Sequence, residues 1–255
     1  MYLRPRIIPC LLIEDGNLVK TKRFKEPTYL GDPINAVKIF NEEEADELCL
    51  LDISSHRGGN HINFELLKNI VTEAFMPLAY GGGISSLEDA KCLYRMGFEK
   101  LIFNTALASD PNLIREVVSY AGAQSVIASI DVKKNIWGRE ECYIDCGKKN
   151  LKKDVATYLN EIEELGVGEI FINSIDNDGM MNGYNIDLIK CVTTNTNLPV
   201  IACGGAGNLE DLSKAIKQGG TQAVAAGSIF VFYGPRRAVL INYPGEDDLK
   251  SVNLY

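Results

Sequence analysis

Two clusters of small and hydroxyl-bearing residues in this chain are suited to holding phosphate. Gly81, Gly82 and Gly83 are followed by Asn104 and Thr105; Gly204, Gly205 and Gly207 are followed by Gly227 and Ser228. Glycine lets the backbone approach an anion closely, and a helix N-terminus aims free N–H groups at it. Such glycines can also serve only as tight turns. Two clusters in matching positions favour phosphate, and imply a long ligand with a phosphate at each end. Lys20, near Lys22, Arg23 and Lys25, brings positive charge. It precedes a stretch, 21–29, that holds Pro27 and Tyr29 and reads as a loop able to close over an anion; a solvated basic loop is the alternative. Asp131 ends an apolar run, where it is either a proton-transferring carboxylate or a structural one.

Those residues need a scaffold that brings distant turns to one face. Short β-rich apolar runs at 6–12, 48–52, 77–81, 100–104, 125–131, 169–174, 199–203 and 222–227 alternate with helical patterns at 63–73, 87–96, 112–120, 155–165 and 209–218. Several runs are apolar almost throughout, as strands covered on both faces are. Eight such strands without a long linker predict an α/β fold: a single (β/α)8 TIM barrel, with the ligand site at the strands' C-terminal ends. The chain also repeats itself. Met76-Pro-Leu-Ala-Tyr-Gly-Gly-Gly-Ile-Ser-Ser-Leu-Glu-Asp89 matches Leu198-Pro-Val-Ile-Ala-Cys-Gly-Gly-Ala-Gly-Asn-Leu-Glu-Asp211. Continuing at constant offset lays Asn104-Thr-Ala106 over Ala226-Gly-Ser228, and the first strand lies over the fifth. Half-barrels of roughly 1–122 and 123–232 follow, with a divergent tail at 233–255, all in one domain.

The 255 residues are 46% hydrophobic and 24% charged, ordinary globular material. A net charge of −8 argues against nucleic-acid binding, which needs clustered Lys and Arg. No run of ~18 apolar residues is present to span a bilayer, and the short apolar run at 7–13 does not read as a signal peptide. Seven cysteines without a CxxC pair suggest reduced thiols in the cytoplasm. Cys142 and Cys146, with two histidines in the whole chain, make a poor zinc set, so neither metal nor cofactor is expected. His56 and His61 fall in the 54–61 loop after the second strand, where solvent or ligand contact are both open readings. Glu42, Glu43 and Glu44 suggest an exposed helix face, and Trp137 could cover part of the site.

Together the motifs resemble the HisF-type cyclase subunit family of imidazole glycerol phosphate synthase, an enzyme of histidine biosynthesis. They are Arg6-Ile-Ile-Pro-Cys-Leu11, Glu14-Asp-Gly-Asn-Leu-Val-Lys20, Gly31-Asp-Pro33, Asp46-Glu-Leu48, Leu51-Asp-Ile53, Gly81-Gly-Gly-Ile84 and Asn104-Thr-Ala106. Further on come Ile130-Asp131, Gly147-Lys-Lys-Asn150, Gly168-Glu-Ile170, Ser174-Ile-Asp-Asn-Asp-Gly179 and Cys203-Gly-Gly-Ala-Gly207. The resemblance extends over about residues 4–232. It implies a barrel that takes ammonia from a HisH-type glutaminase and converts a bis-phosphorylated ribonucleotide by lyase and cyclase steps. It adds Asp178 and Gly179 to the substrate-binding residues. It also implies that Arg6, Glu47, Lys100 and Glu169, at four strand starts, form a charged ammonia gate at the opposite end. By spacing alone, those four are better read as solvated charges.

The chain departs from the family in two places. The family uses aspartates at the ends of strands one and five as general acid and base; Asp131 is present, but its counterpart is Leu12. Glu14 would need a shifted strand to replace it. The tail, Phe232-Tyr-Gly-Pro-Arg-Arg-Ala-Val-Leu-Ile-Asn-Tyr-Pro244, has a β-like run where the family continues into a closing helix. Both departures resemble a paralogous branch associated with amidinating sugars of surface glycans, whose barrel supplies ammonia to a separate sugar amidotransferase. A non-catalytic ammonia conduit is the third reading. The sister phosphoribosyl isomerase barrel, which also uses an aspartate at the end of strand one, is disfavoured by Leu12.

Overall fold

The computed structural model describes residues 4–54 and 62–254; His56 and His61 lie outside these. Eight parallel strands close into a barrel: β1 (Arg6–Glu14), β2 (Leu48–Asp52), β3 (Leu78–Gly81), β4 (Lys100–Phe103), β5 (Val126–Lys134), β6 (Glu169–Ser174), β7 (Val200–Cys203) and β8 (Ala223–Ala226). Closure is direct. Arg6 of β1 pairs in register with Ala223 of β8, and Asp131 of β5 with Asn173 of β6.

The alternation of side chains along each strand sorts the core into two parts. On β1, Ile7, Leu11 and Ile13 point outward into the layer shared with the helices, whereas Ile8 and Cys10 join Cys49, Ala79, Ile127 and Phe171 inside the barrel. That double burial is why the strands read as apolar almost throughout.

The longer helices among the described residues pack outside: α1 (Pro33–Glu42), α2 (Phe64–Glu73), α3 (Leu87–Met96), α4 (Pro111–Ala121), α5 (Val155–Glu163), α6 (Ile186–Asn195) and α7 (Leu209–Lys217). Each opens on a side chain that accepts a backbone N–H of the first turn, namely Asp32, Asn63, Ser86, Asp110, Asp154, Asn185 and Asn208. Such caps stabilise a helix start by about 1 kcal/mol each. Glu42, Glu43 and Glu44 are exposed at the end of α1, as expected.

The internal repeat is visible as duplicated local geometry. Asp89 Oδ2 accepts the Ser85 N–H at 3.1 Å just before α3, and Asp211 Oδ2 accepts the Gly207 N–H at 3.0 Å just before α7. The constant offset fails after α7. Short helices begin at Thr105 and Ser228, capped by Asn104 (φ −124°, ψ −76°) and Gly227 (φ −108°, ψ −61°). Asn104 therefore corresponds to Gly227, one residue beyond the position given by the sequence register, because Gly219-Gly220 adds a residue before β8 where Gly97 stands alone before β4.

Two other expectations are corrected. The stretch 21–29 is no open loop: Asn17–Lys22 and Lys25–Gly31 form an antiparallel hairpin on β1, turning at Arg23 and Phe24, both with positive φ. A second hairpin strand, Glu140–Ile144, pairs with β5. Trp137 sits at that hairpin's tip, 78% exposed and outside the cavity lining, so it covers nothing. In the tail a short hairpin (Phe232–Tyr233 with Ala238–Val239) precedes a helical turn at Glu246–Ser251. Tyr243 is buried there and donates its hydroxyl to the Ile7 carbonyl at 3.0 Å, which ties the tail to β1.

Candidate functional site

The C-terminal ends of the strands open into a cavity of about 980 Å³. Its lining contains Lys20, Gly81, Gly82, Gly83, Asn104, Thr105 and Asp178, with Gly179, Gly204, Gly205, Gly227 and Ser228, but of the residues expected to hold phosphate or substrate Gly207 stays outside it. Asp131 and Leu12 line it too. Two of the glycines have packing reasons of their own. Gly82 has φ +127°, and a Cβ there would stand 2.3 Å from the Asp52 carbonyl oxygen; one on Gly204, at φ +89°, would stand 2.6 Å from Asn173 Oδ1. Only glycine allows both that conformation and that approach.

The polar groups differ in how far the fold already engages them. Asn104 Nδ2 donates to the Ser129 carbonyl at 3.0 Å, and Thr105 Oγ1 accepts the Asp145 N–H at 3.1 Å. Ser228 Oγ and Asn173 Oδ1, by contrast, are buried with no hydrogen-bond partner among the described residues. Both line the cavity. Buried polar atoms are seldom left unpaired, so these two are natural contacts for a polar ligand.

Lys20 and Asp178 form a buried ion pair at 2.8 Å, and Thr21 donates to the second Asp178 oxygen at 3.1 Å. Burial works against the Lys20 charge, but the Asp178 carboxylate outweighs it and holds the ammonium above its ordinary range. The hairpin crosses the mouth at this point. Arg23 donates its backbone N–H to the Asp178 carbonyl and its Nε to the Asp176 carbonyl, while Phe24 packs near Gly147.

Asp131 is 7% exposed, and burial, followed by repulsion from Asp178, pushes its carboxyl up to about 8. At neutral pH it is largely protonated and able to act as a general acid. Across the barrel, Leu12 occupies the matching inward position on β1, with Cys10 below it and Glu14 above. The register of β1 is regular against both neighbours, so no strand shift moves Glu14 into the place of Leu12. Glu14 nonetheless borders the cavity one inward position nearer the mouth.

At the opposite end Arg6, Glu47, Lys100 and Glu169 meet as a ring. Arg6 bonds both Glu47 and Glu169; Lys100 lies 2.8 Å from Glu169 and 3.6 Å from Glu47. Both glutamates are 4% exposed. Burial lowers the Arg6 pKa, but Glu169 and Glu47 together outweigh it and leave the guanidinium above its usual value. The four charges are thus mutually neutralising rather than separately solvated. Inside the barrel and outside the cavity lining lie Ile8, Ala79, Ile127, Ala223 and Ala225.

Several cavity residues were not singled out from sequence: Asp52, Ser129, Asn173 and Lys133. Asp52 sits in a quoted motif, and the others follow from alternation along β5 and β6 once the register is known.

The model of a family described as "Histidine biosynthesis protein" matches residues 6–235. The chain belongs to that family. Within it the chain groups with HisF subunits. It is 48% identical over 97% of its length to a Pseudomonas aeruginosa protein provisionally named imidazole glycerol phosphate synthase subunit hisF2, of which 98% is covered. It is 43% identical to a provisionally named subunit hisF3 of Vibrio vulnificus, over 98% of this chain and 96% of the other. With the imidazole glycerol phosphate synthase subunit HisF of Chlorobaculum tepidum the identity is 40%, over 92% and 94%. The family match stops inside the tail hairpin, at Pro235. No described helix of this HisF-type chain is long and apolar enough to cross a membrane.

Proposed function

We propose that this HisF-type chain is an ammonia-accepting synthase subunit, paired with a HisH-type glutaminase, that binds a phosphorylated ligand in its mouth. The neutralised ring of Arg6, Glu47, Lys100 and Glu169 carries this reading. Four charges at strand starts gain nothing for ligand binding at the far end, and burying them is costly unless they pair closely. A ring of that kind, followed by an interior of alanines and aliphatic side chains, suits admission of a small neutral molecule. Ammonia would pass the neutralised ring and travel on as the uncharged molecule. The paired cradles and the unsatisfied Ser228 and Asn173 support a ligand with phosphate at both ends.

Leu12 favours a second reading of the chemistry. Histidine-pathway cyclisation in this family employs a carboxylate on β1 opposite Asp131, and leucine moves no proton. The inferred role is then to pass ammonia to a separate sugar amidotransferase, Asp131 being dispensable. No cofactor and no metal enters either reading.

Copurification with a HisH-type glutaminase tests the shared part, and Lys100→Glu should weaken both association and glutamine-dependent ammonia transfer. Failure of any glutaminase to bind would sink it. Turnover of the bis-phosphorylated ribonucleotide with ammonium separates the two chemistries. The leucine argument expects none from the native chain and a trace from Leu12→Asp. An ordinary enzymatic rate from the native chain would establish the cyclase reading instead.

A further inference from the structure

Three of the seven cysteines, Cys10, Cys49 and Cys203, lie together inside the barrel beneath the cavity. Neither the ring nor the cradles uses a thiol. Cys10 of β1 and Cys49 of β2 are direct partners in the parallel register, and their sulfurs are 3.9 Å apart. Neighbouring strands lie about 4.8 Å apart, inside the Cα separation of about 4.4–6.8 Å that a disulfide accepts. Closing the sulfurs by roughly 2 Å therefore needs side-chain rotation and little backbone movement. Cys10 and Cys203 border the cavity; Cys49 does not. Of the Cys10–Cys49 pair, only Cys10 is therefore open to a small molecule entering from the mouth, where Cys146 also lines the wall.

We propose that Cys10 and Cys49 form a peroxide-sensitive thiol pair, with Cys10 as the attacking sulfur and Cys49 as the resolving one. Hydrogen bonds from the Cys203 and Cys49 thiols, and then the Lys20 ammonium, draw the Cys10 thiol well below its usual range despite its burial. The same contacts and burial hold Cys49 and Cys203 high, as protonated partners. The Cys10 thiolate attacks one oxygen of hydrogen peroxide; the O–O bond breaks, and hydroxide leaves and takes up the thiol's proton as water. This oxidises Cys10 to a sulfenic acid. The Cys49 sulfur then attacks the Cys10 sulfur, the S–O bond breaks, and the hydroxyl departs with the Cys49 proton as a second water. Two thiols and one peroxide give one disulfide and two waters.

The crosslink has a defined place. A Cβ on Gly227 in the second cradle would stand 2.8 Å from the Cys10 carbonyl oxygen and 3.1 Å from the Lys20 stem. Cys10 also lies on β1 between Arg6 and Leu12. Oxidation would fasten β1 to β2 directly under the ligand and above the charged ring. The chemistry of the pair does not depend on ammonia transfer.

The test treats the reduced, folded full-length chain with hydrogen peroxide and maps its thiols by non-reducing peptide mass spectrometry. The expected product has lost two hydrogens, contains a peptide joining Cys10 to Cys49, and reverts with dithiothreitol. Cys10 should react at least about tenfold faster than buried Cys142, whose thiol burial pushes up to about 12. Cys49→Ala should abolish the crosslink yet leave Cys10 the first site oxidised. A Cys10–Cys203 peptide, oxidation confined to Cys92 and Cys191, or equal rates at Cys10 and Cys142 would each overturn the assignment.

Discussion

Lys20 and Asp178 stand 158 residues apart in the chain and 2.8 Å apart in the fold, both buried at the mouth of the barrel. The pair joins the hairpin after β1 to the turn after β6, and Thr21 and the Arg23 N–H fix the same aspartate residue. Removing one partner leaves the other charge buried and uncompensated, which costs about 3–5 kcal/mol. Asp178→Asn should lower unfolding free energy by about that amount in urea titration. Thr21→Val, which removes a single hydrogen bond, should cost only about 1–2 kcal/mol. Equal losses for the two variants would refute the buried-pair account.

Asp131 makes stability depend on pH with an unusual sign. Its carboxyl has an ordinary value of 3.8 and is raised to about 8 in the fold. Between those values the native state holds a proton that the unfolded state releases, so its contribution to stability falls as pH rises. The slope approaches about 1.4 kcal/mol per pH unit at most. Asp131→Asn mimics the protonated form at every pH. Its stability relative to the native chain should be near equal at pH 4, grow toward pH 8 and level off above. Thermal melts across that range decide the matter; a difference independent of pH would show that Asp131 is already ionised.

The ring at the strand starts should be fragile to single substitutions. Arg6→Met leaves the two buried glutamates facing only Lys100, and a loss of about 3 kcal/mol is expected. Combining it with Glu47→Gln should recover much of that loss, because Lys100 and Glu169 then remain as one matched pair. Chemical denaturation of the single and double variants measures the coupling.

Arg237 links the divergent tail to the mouth. Its guanidinium donates to the Gly179 carbonyl at 3.2 Å and the Met180 carbonyl at 3.3 Å. Arg237→Ala should loosen the turn that carries Asp178 while leaving the barrel intact. Amide exchange at 178–183 should quicken about tenfold, with a melting temperature lower by only a few degrees. Unchanged exchange there would mean that the tail does not support the turn.

Much of the fold was legible because its physics is local. Alternating apolar runs and helical patterns gave the eight strands within a few residues. The glycine-rich part of the cavity was equally legible, since glycine-rich turns after strands converge wherever such strands close into a barrel, whereas Asp52, Ser129, Lys133 and Asn173 were not singled out. The 21–29 stretch was misread because Pro27 and a charged run mask a hairpin whose turn rests on positive φ at Arg23 and Phe24, residues without that habit. Trp137 was misread because exposure at a hairpin tip leaves no trace in composition. The constant repeat offset failed because an extra glycine among loop residues is invisible until the short helices are compared.

By itself, the sequence determined the identity of the groups at each strand end, including the substitution of Leu12 for a carboxylate. No fold can change what leucine is unable to do with a proton. Only the tertiary structure decided which of these groups are charged and whom they meet. Asp131 titrates high because β5 buries it near Asp178, and Lys20 stays charged because the hairpin folds it onto that same residue. Those energies scale with separation and burial, which the barrel sets by bringing residues from both halves of the chain to one mouth.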